Sequence, residues 1–358
     1  MPTSNKKVIN AWAMYDWANS VYSLVITSTI FPIYYASVTA AKDGNKMVDF
    51  FGLSITNTVL YSYSLSFSFL VLAILLPILS GIADYSGKKK NFLKFFAYLG
   101  HASCAALYFF TGRDTAGTGI IFSVMASIGF GGSLVFYNAY LPEITTPENY
   151  DKVSAKGYAM GYIGSVILMI VNLLMVEKKE WFGFTHDTSV AFWGDPTMPS
   201  RMVFITVGLW WAGFSQITFA HLPKSASRPG NGNIITKGFR ELARVWRSLK
   251  KLPKTRNFLM AFFFYDLGVQ TIMYLAATYG SDRLNLDSSV LILSILVIQI
   301  VAIGGAYLFA WVSKIKGNVF SLSFMICTWI IVCCSIFLVN KSDAHVEQEF
   351  EGIALLVW

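Results

Sequence analysis

Apolar runs of membrane-crossing length recur along this chain, and they restrict its fold more than any other feature. A helix needs about 20 mostly apolar residues to cross a hydrocarbon core. Such runs lie near residues 10–37, 55–82, 92–111, 117–141, 157–176, 202–222, 258–279, 289–312 and 319–339. A tenth begins at Ile353 and stops at Trp358, where the sequence ends. At 55% hydrophobic and 13% charged residues, the chain lacks the polar groups to cover itself in water. Lipid removes that requirement, because a helix facing acyl chains is apolar all round. Backbone polar groups in lipid must be satisfied within the spanning element, which leaves helices. The expected fold class is therefore an all-α polytopic membrane helix bundle.

The charges orient the bundle. With the N-terminus in the cytoplasm, 20 of the 28 Lys and Arg fall in cytoplasmic loops, among them Lys6, Lys7, Lys88, Lys89, Lys90, Lys152, Lys156, Lys314 and Lys316. The opposite loops hold the other eight, diluted by Asp43, Asp49, Asp114, Glu177, Glu180, Asp187 and Asp195. The net charge of +8 thus reflects topology, and no nucleic-acid partner is expected. Lys6 and Lys7 precede an apolar run too long for a cleaved signal peptide, so it reads as a first span. A multi-pass protein of the cell (inner) membrane is the expected localisation.

A Pro/Gly/Ser/Asn linker, HLPKSASRPGNGN, follows the sixth span. Beyond it, KGFRELARVWRSLKKL sets Phe239, Leu242, Val245, Trp246, Leu249 and Leu252 on one helical face and Arg240, Arg244, Arg247, Lys250 and Lys251 on the rest. This is a basic amphipathic helix suited to an anionic leaflet, or a solvated linker helix. The expected organisation is a complete six-helix half at 1–222, a central cytoplasmic loop at 223–257 and a partial second half at 258–358.

Elements of the first half return in the second. MYDWANSVYS in the first span is echoed by FYDLGVQTIM in the seventh, so Asp16 and Asp266 occupy matching positions. Each lies roughly 12 Å in from the basic side. The loop after span two, GIADYSGKKK, is matched by WVSKIKGNVF after span eight, with Gly317 in the place of Gly87. Weak similarity between two halves is a mark of transporters built from parallel repeats.

These motifs carry a resemblance. Gly81, Asp84, Gly87, Lys88, Lys89 and Lys90, spaced G-x-x-x-D-x-x-G-K-K-K, resemble the major facilitator signature between spans two and three. WAMYDWANSVYSLVITSTIFPIYY, YNAYLPEI and GYAMGYIG are similar to one branch, the unknown major facilitator family 1, related to the vacuolar amino-acid effluxers of fungal autophagy. The resemblance implies a major facilitator fold of twelve spans, so this sequence is expected to stop short by nearly three. It also implies a secondary transporter acting as a monomer on a small solute, an amino acid or related metabolite, without a cofactor. Gly81, Asp84, Gly87, Lys88 and Lys89 are then expected to form a latch biasing the inward–outward equilibrium.

A carboxylate inside a span costs roughly 2.5–3.5 kcal/mol on insertion scales, which makes Asp16 and Asp266 candidates for proton coupling or for a cationic substrate group. Asn19 and Ser20 share a helix face with Asp16, and Gln270 with Asp266. Asn138, His101, Tyr137, Asn172 and Gln299 are further candidates to line a cavity, though a lone histidine such as His101 more often serves packing. Gly157, Gly161 and Gly164, with Gly129, Gly131 and Gly132, read as sites of close helix packing. Soluble chemistry finds no support: no phosphate loop, HExxH or CxxC is present. The competing reading is a membrane-embedded enzyme on lipid-linked substrates, for which carboxylates would be expected to cluster near one interface. A channel is a weaker third.

Overall fold

The computed structural model describes residues 5–40, 45–185, 187, 189–190, 192–223, 234–282 and 288–341; residues 84–85, 234–239, 241–242, 274–282, 288–292 and 336–341 are described by backbone only. The linker at 224–233, the side chain of Asp84 and the run from Ile353 to Trp358 thus lie outside the described side chains. The described chain is almost wholly helical, as lipid demands. Its long helices are α1 (Lys6–Thr39), α2 (Asn57–Ser86), α3 (Lys89–Ala106), α4 (Ala116–Asn138), α5 (Tyr150–Glu177) and α6 (Met198–His221). They are followed by α7 (Ile234–Lys250), α8 (Pro253–Asp282), α9 (Ser288–Lys316) and α10 (Asn318–Lys341).

Helix α1 is the axis of the first bundle. Asn5 caps it, its side chain accepting from Lys7 N at 2.9 Å. It packs against α5 and α6, while α3 joins α4 to α6 and α2 lies on α4. Thr218 Oγ1 donates to Ala11 O at 2.7 Å and Trp210 Nε1 to Trp17 O at 3.0 Å, so α6 is bonded to the α1 backbone at two levels. Between Tyr22 and Ile30 α1 widens into π-helical turns. Pro32 follows, and its missing N–H removes one bond from the ladder where the α register resumes. Glycine brings α3 and α4 together: a Cβ on Gly129 would meet Gly100 N at 2.3 Å.

The other end of the bundle is closed by aromatic rings. Phe31, Tyr34 and Tyr35 of α1 pack on Phe110 and, through Phe31 and Tyr34, on Phe204 of α6. A two-stranded hairpin that the sequence reading did not anticipate, β1 (Met47–Phe50) and β2 (Leu53–Thr56), sits between α1 and α2. Its turn places Phe51 at φ 52° and Gly52 at φ 80°, the positive pair that a two-residue hairpin uses. No Asn-Gly or Asp-Gly announces it. Asn57 Nδ2 donates to Thr39 Oγ1 at 2.8 Å and pins the hairpin between the two helices.

In the remainder, α9 packs along α5 and against α10, and α7 lies against α2. The two signature glycines take one role: Gly87 (φ 66°) ends α2 and Gly317 (φ 84°) ends α9, both left-handed. The repeat read from the sequence therefore has a structural counterpart at these positions.

Candidate substrate and proton site

Asp16 lies about 15 Å along α1 from Lys6, at 1.5 Å per residue, and is only 7% exposed. Tyr137 Oη, from α4, donates to Asp16 Oδ2 at 2.7 Å. The Tyr137 ring is held by Trp12, stacked on it at 4.3 Å and 12°, while Trp12 Nε1 donates to Tyr137 O at 3.1 Å. Tyr15 packs on the same ring at 5.1 Å. Helix α5 forms the third wall. A Cβ at Gly157 would lie 2.4 Å from Asp16 Oδ2, and one at Gly161 would lie 2.4 Å from Ser20 Oγ. The small-residue face of α5 thus admits the polar face of α1, Asp16 and Ser20 one turn apart.

The electrostatics of this pocket are unusual. Among the described residues no Lys, Arg or His forms an ion pair with Asp16. Asn19, three residues on and 1% exposed, has an amide Nδ2 without a hydrogen-bond partner. A buried carboxylate without a counter-ion is neutralised by a proton or a cation far more cheaply than it is kept bare.

Asp266 has different surroundings. It sits about 20 Å along α8 from Pro253 and is half-buried, with Gln270 exposed one turn on. Tyr265 packs edge-on to Phe262 at 5.2 Å. Asp16 and Asp266 are not in contact. Tyr158 is 56% exposed and stacks on Tyr162 at 6.4 Å.

The remaining candidates are dispersed. Asn138 is exposed at the end of α4, and its neighbour Tyr137 is the residue that reaches Asp16. His101 packs edge-on to Tyr98 at 5.3 Å and Trp211 at 6.4 Å, with Nε2 unpartnered. Asn172 Oδ1 accepts from Thr206 Oγ1 at 2.7 Å, a bond between α5 and α6. The signature lysines are engaged at the basic end. Lys89 Nζ pairs with Glu143 Oε1 at 2.6 Å and donates to Ala139 O at 3.4 Å, while Lys90 Nζ donates to Leu222 O at 2.7 Å. They tie the start of α3 to the ends of α4 and α6. Lys88 is exposed, and Gly81 lies half-buried within α2.

Sequence reasoning missed Trp12 and Glu143. Glu143 lies in the quoted motif YNAYLPEI, but no local spacing signals a partner 50 or more residues away.

The family model described as "Vacuole effluxer Atg22 like" matches residues 4–150 and 145–340. An uncharacterized MFS-type transporter, YxiO of Bacillus subtilis, is 34% identical over 294 residues, covering 82% of this chain and 64% of that protein. Autophagy-related protein 22-2 of Penicillium rubens is 22% identical over 361 residues, covering 78% of this chain and 58% of that one. The chain therefore spans less than two thirds of the length of these relatives. The fold is similar to that of the xylose transporter XylE from E. coli in a partially occluded inward open conformation, with a TM-score of 0.55 at 11% identity, covering 99% of this chain and 84% of that one. The architecture is thus the major facilitator fold, embedded in a membrane by several spans, and with the family model matched along nearly its whole length the chain belongs to the Atg22-like effluxer family.

Proposed function

We propose that the chain is the greater part of a secondary transporter that moves a small solute by alternating access, with Asp16 as the proton-exchanging carboxylate. The observation that carries this reading is a carboxylate, 7% exposed, held by one phenol at 2.7 Å and by no cation among the described residues. Protonation of an Asp16 oxygen removes the buried charge, and deprotonation restores an acceptor for Tyr137 Oη. Each change alters what α1 can bond to on α4 and α5, the helices that would move against the second half. Asp266, less buried, is the better placed to meet a cationic group of the solute. The sequence resemblance to the vacuolar amino-acid effluxers makes an amino acid the first solute to test. The division into a first half at 1–222, a basic connector at 223–257 and a second half from 258 belongs to the same proposal. So do an N-terminus in the cytoplasm and placement in the cell membrane. A membrane-embedded enzyme gains nothing from the geometry, since the two carboxylates lie on separate helices of separate halves.

The test is uptake into proteoliposomes holding the whole protein, screened over amino acids one at a time with and without an imposed pH gradient. The reading expects gradient-driven accumulation of at least one amino acid by the wild type. Asp16→Asn should abolish driven accumulation while retaining counterflow exchange, because exchange needs no net proton release. Gradient-driven uptake at the wild-type rate in Asp16→Asn would remove Asp16 from coupling.

A further inference from the structure

The transport reading leaves the exposed, strongly basic stretch at the end of α7 without a role. We infer that this stretch is a binding surface for anionic phospholipid headgroups of the leaflet on the basic side of the bundle. From Ala243 to Lys251 only Leu249 is even half-buried. Val245 and Trp246 are 51% and 66% exposed on one arc of the helix, and Leu252, just past its end, is 53% exposed. Arg240, Arg247 and Lys250 are exposed on the opposite arc, and Lys251, Lys254 and Arg256, also exposed, continue the charge into the first turn of α8.

Two observations choose a membrane over a soluble acidic partner. Apolar exposure at Val245, Trp246 and Leu252 resumes at Phe258, Leu259 and Phe262 of α8, with the exposed Lys254 and Arg256 between the two groups. The chain also turns tightly between them, with Lys251 N donating to Ser248 O at 3.0 Å and Leu252 N to Leu249 O at 3.1 Å. The end of α7 is thereby fixed to the level at which α8 enters the bilayer. Apolar side chains lie at the acyl boundary there, and long basic stems reach up to the phosphates. Tryptophan is the residue most at home at that boundary. Each Lys or Arg near an anionic surface adds roughly 1 kcal/mol of attraction.

The test is hydrogen exchange, read by mass spectrometry on peptides covering 239–252. The whole protein is held in nanodiscs of phosphatidylcholine alone or of phosphatidylcholine mixed with phosphatidylglycerol. Exchange in the mixed discs should be at least about tenfold slower, as several basic contacts imply. The variant R240Q/R247Q/K250Q/K251Q should lose that difference, with exchange in α1–α6 peptides unchanged as the control for folding. Equal exchange in the two lipids, whether fast or slow, would overturn the inference, since slow exchange in both means packing on α2 and fast exchange in both means no surface contact. Retention of the difference in the quadruple variant would overturn it as well.

Discussion

Tyr137 Oη donates to Asp16 Oδ2 at 2.7 Å across the α1–α4 junction, and it is the hydrogen bond that fixes the Asp16 side chain in the bundle. Trp12 holds the phenol from behind, so the donor is set before the carboxylate changes state. Tyr137→Phe removes the hydroxyl and keeps the ring. A hydrogen bond to a charged group contributes about 1.5–3 kcal/mol, all of it to the ionised form here. The variant should therefore shift the pH dependence of transport toward higher pH and lower the thermal unfolding midpoint only where Asp16 is ionised, leaving it near that of the wild type where Asp16 is protonated. An unchanged pH profile would show that the bond does not act on the ionised carboxylate.

Gly157 lies opposite the same oxygen. Gly157→Ala places a methyl 2.4 Å from Oδ2 on the built geometry, so α1 and α5 must separate or the carboxylate must leave Tyr137. Overpacking of this kind costs about 1–3 kcal/mol. The expected result is a lower unfolding midpoint in detergent together with impaired transport. Gly213, whose added Cβ meets nothing within 4 Å, serves as the control, and Gly213→Ala should behave as wild type.

At the basic end, Lys89 is 8% exposed and bonds both Glu143 and Ala139 O. Lys89→Ala removes the ion pair to Glu143 and the bond to Ala139 O, loosening the start of α3 from the end of α4. A loss of about 1.5–3 kcal/mol is expected, that of a charged hydrogen bond, read as faster hydrogen exchange in peptides covering residues 87–95. Lys88→Ala, at an exposed position, should leave those peptides unchanged.

Arg201 anchors the opposite end of α6. Its Nε donates to Tyr108 O at 2.8 Å, its Nη1 pairs with Asp195 Oδ2 at 2.9 Å, and its guanidinium lies 4.4 Å over the Tyr108 ring. Lysine cannot make the forked contact and the stacking together. Arg201→Lys should lower the unfolding midpoint without altering the pH dependence of transport. A shifted pH profile would place Arg201 in the mechanism.

How much of this was legible in the sequence depends on the range of each interaction. Lipid imposes helices, so the apolar runs located α1 to α6 and α8 to α10, with ends within seven residues. The close packing at Gly157 and Gly161 was also readable, because an i, i+4 spacing sets both on one face. The correspondence of Gly87 and Gly317 was readable as a repeat, and the structure adds that each ends its helix in the left-handed region. Three features were not legible. The π-helical turns at Tyr22–Ile30 depend on how α1 fits α5 and α6, and Pro32 marks only where they stop. The hairpin at 47–56 turns on Phe51-Gly52, a pair without strong turn preference. Asp16 could be named as a carboxylate inside a span, but its phenol partner lies 121 residues away.

The central claim is that Asp16 takes up and releases a proton as solute binds. The most direct measurement uses the purified whole protein in weakly buffered detergent solution with a pH indicator, mixed with the amino acid found in the uptake screen. A proton change on mixing is expected that depends on starting pH, is absent in Asp16→Asn, and persists at a shifted pH in Tyr137→Phe. An undiminished proton change in an Asp16→Asn protein that still binds the amino acid would contradict it.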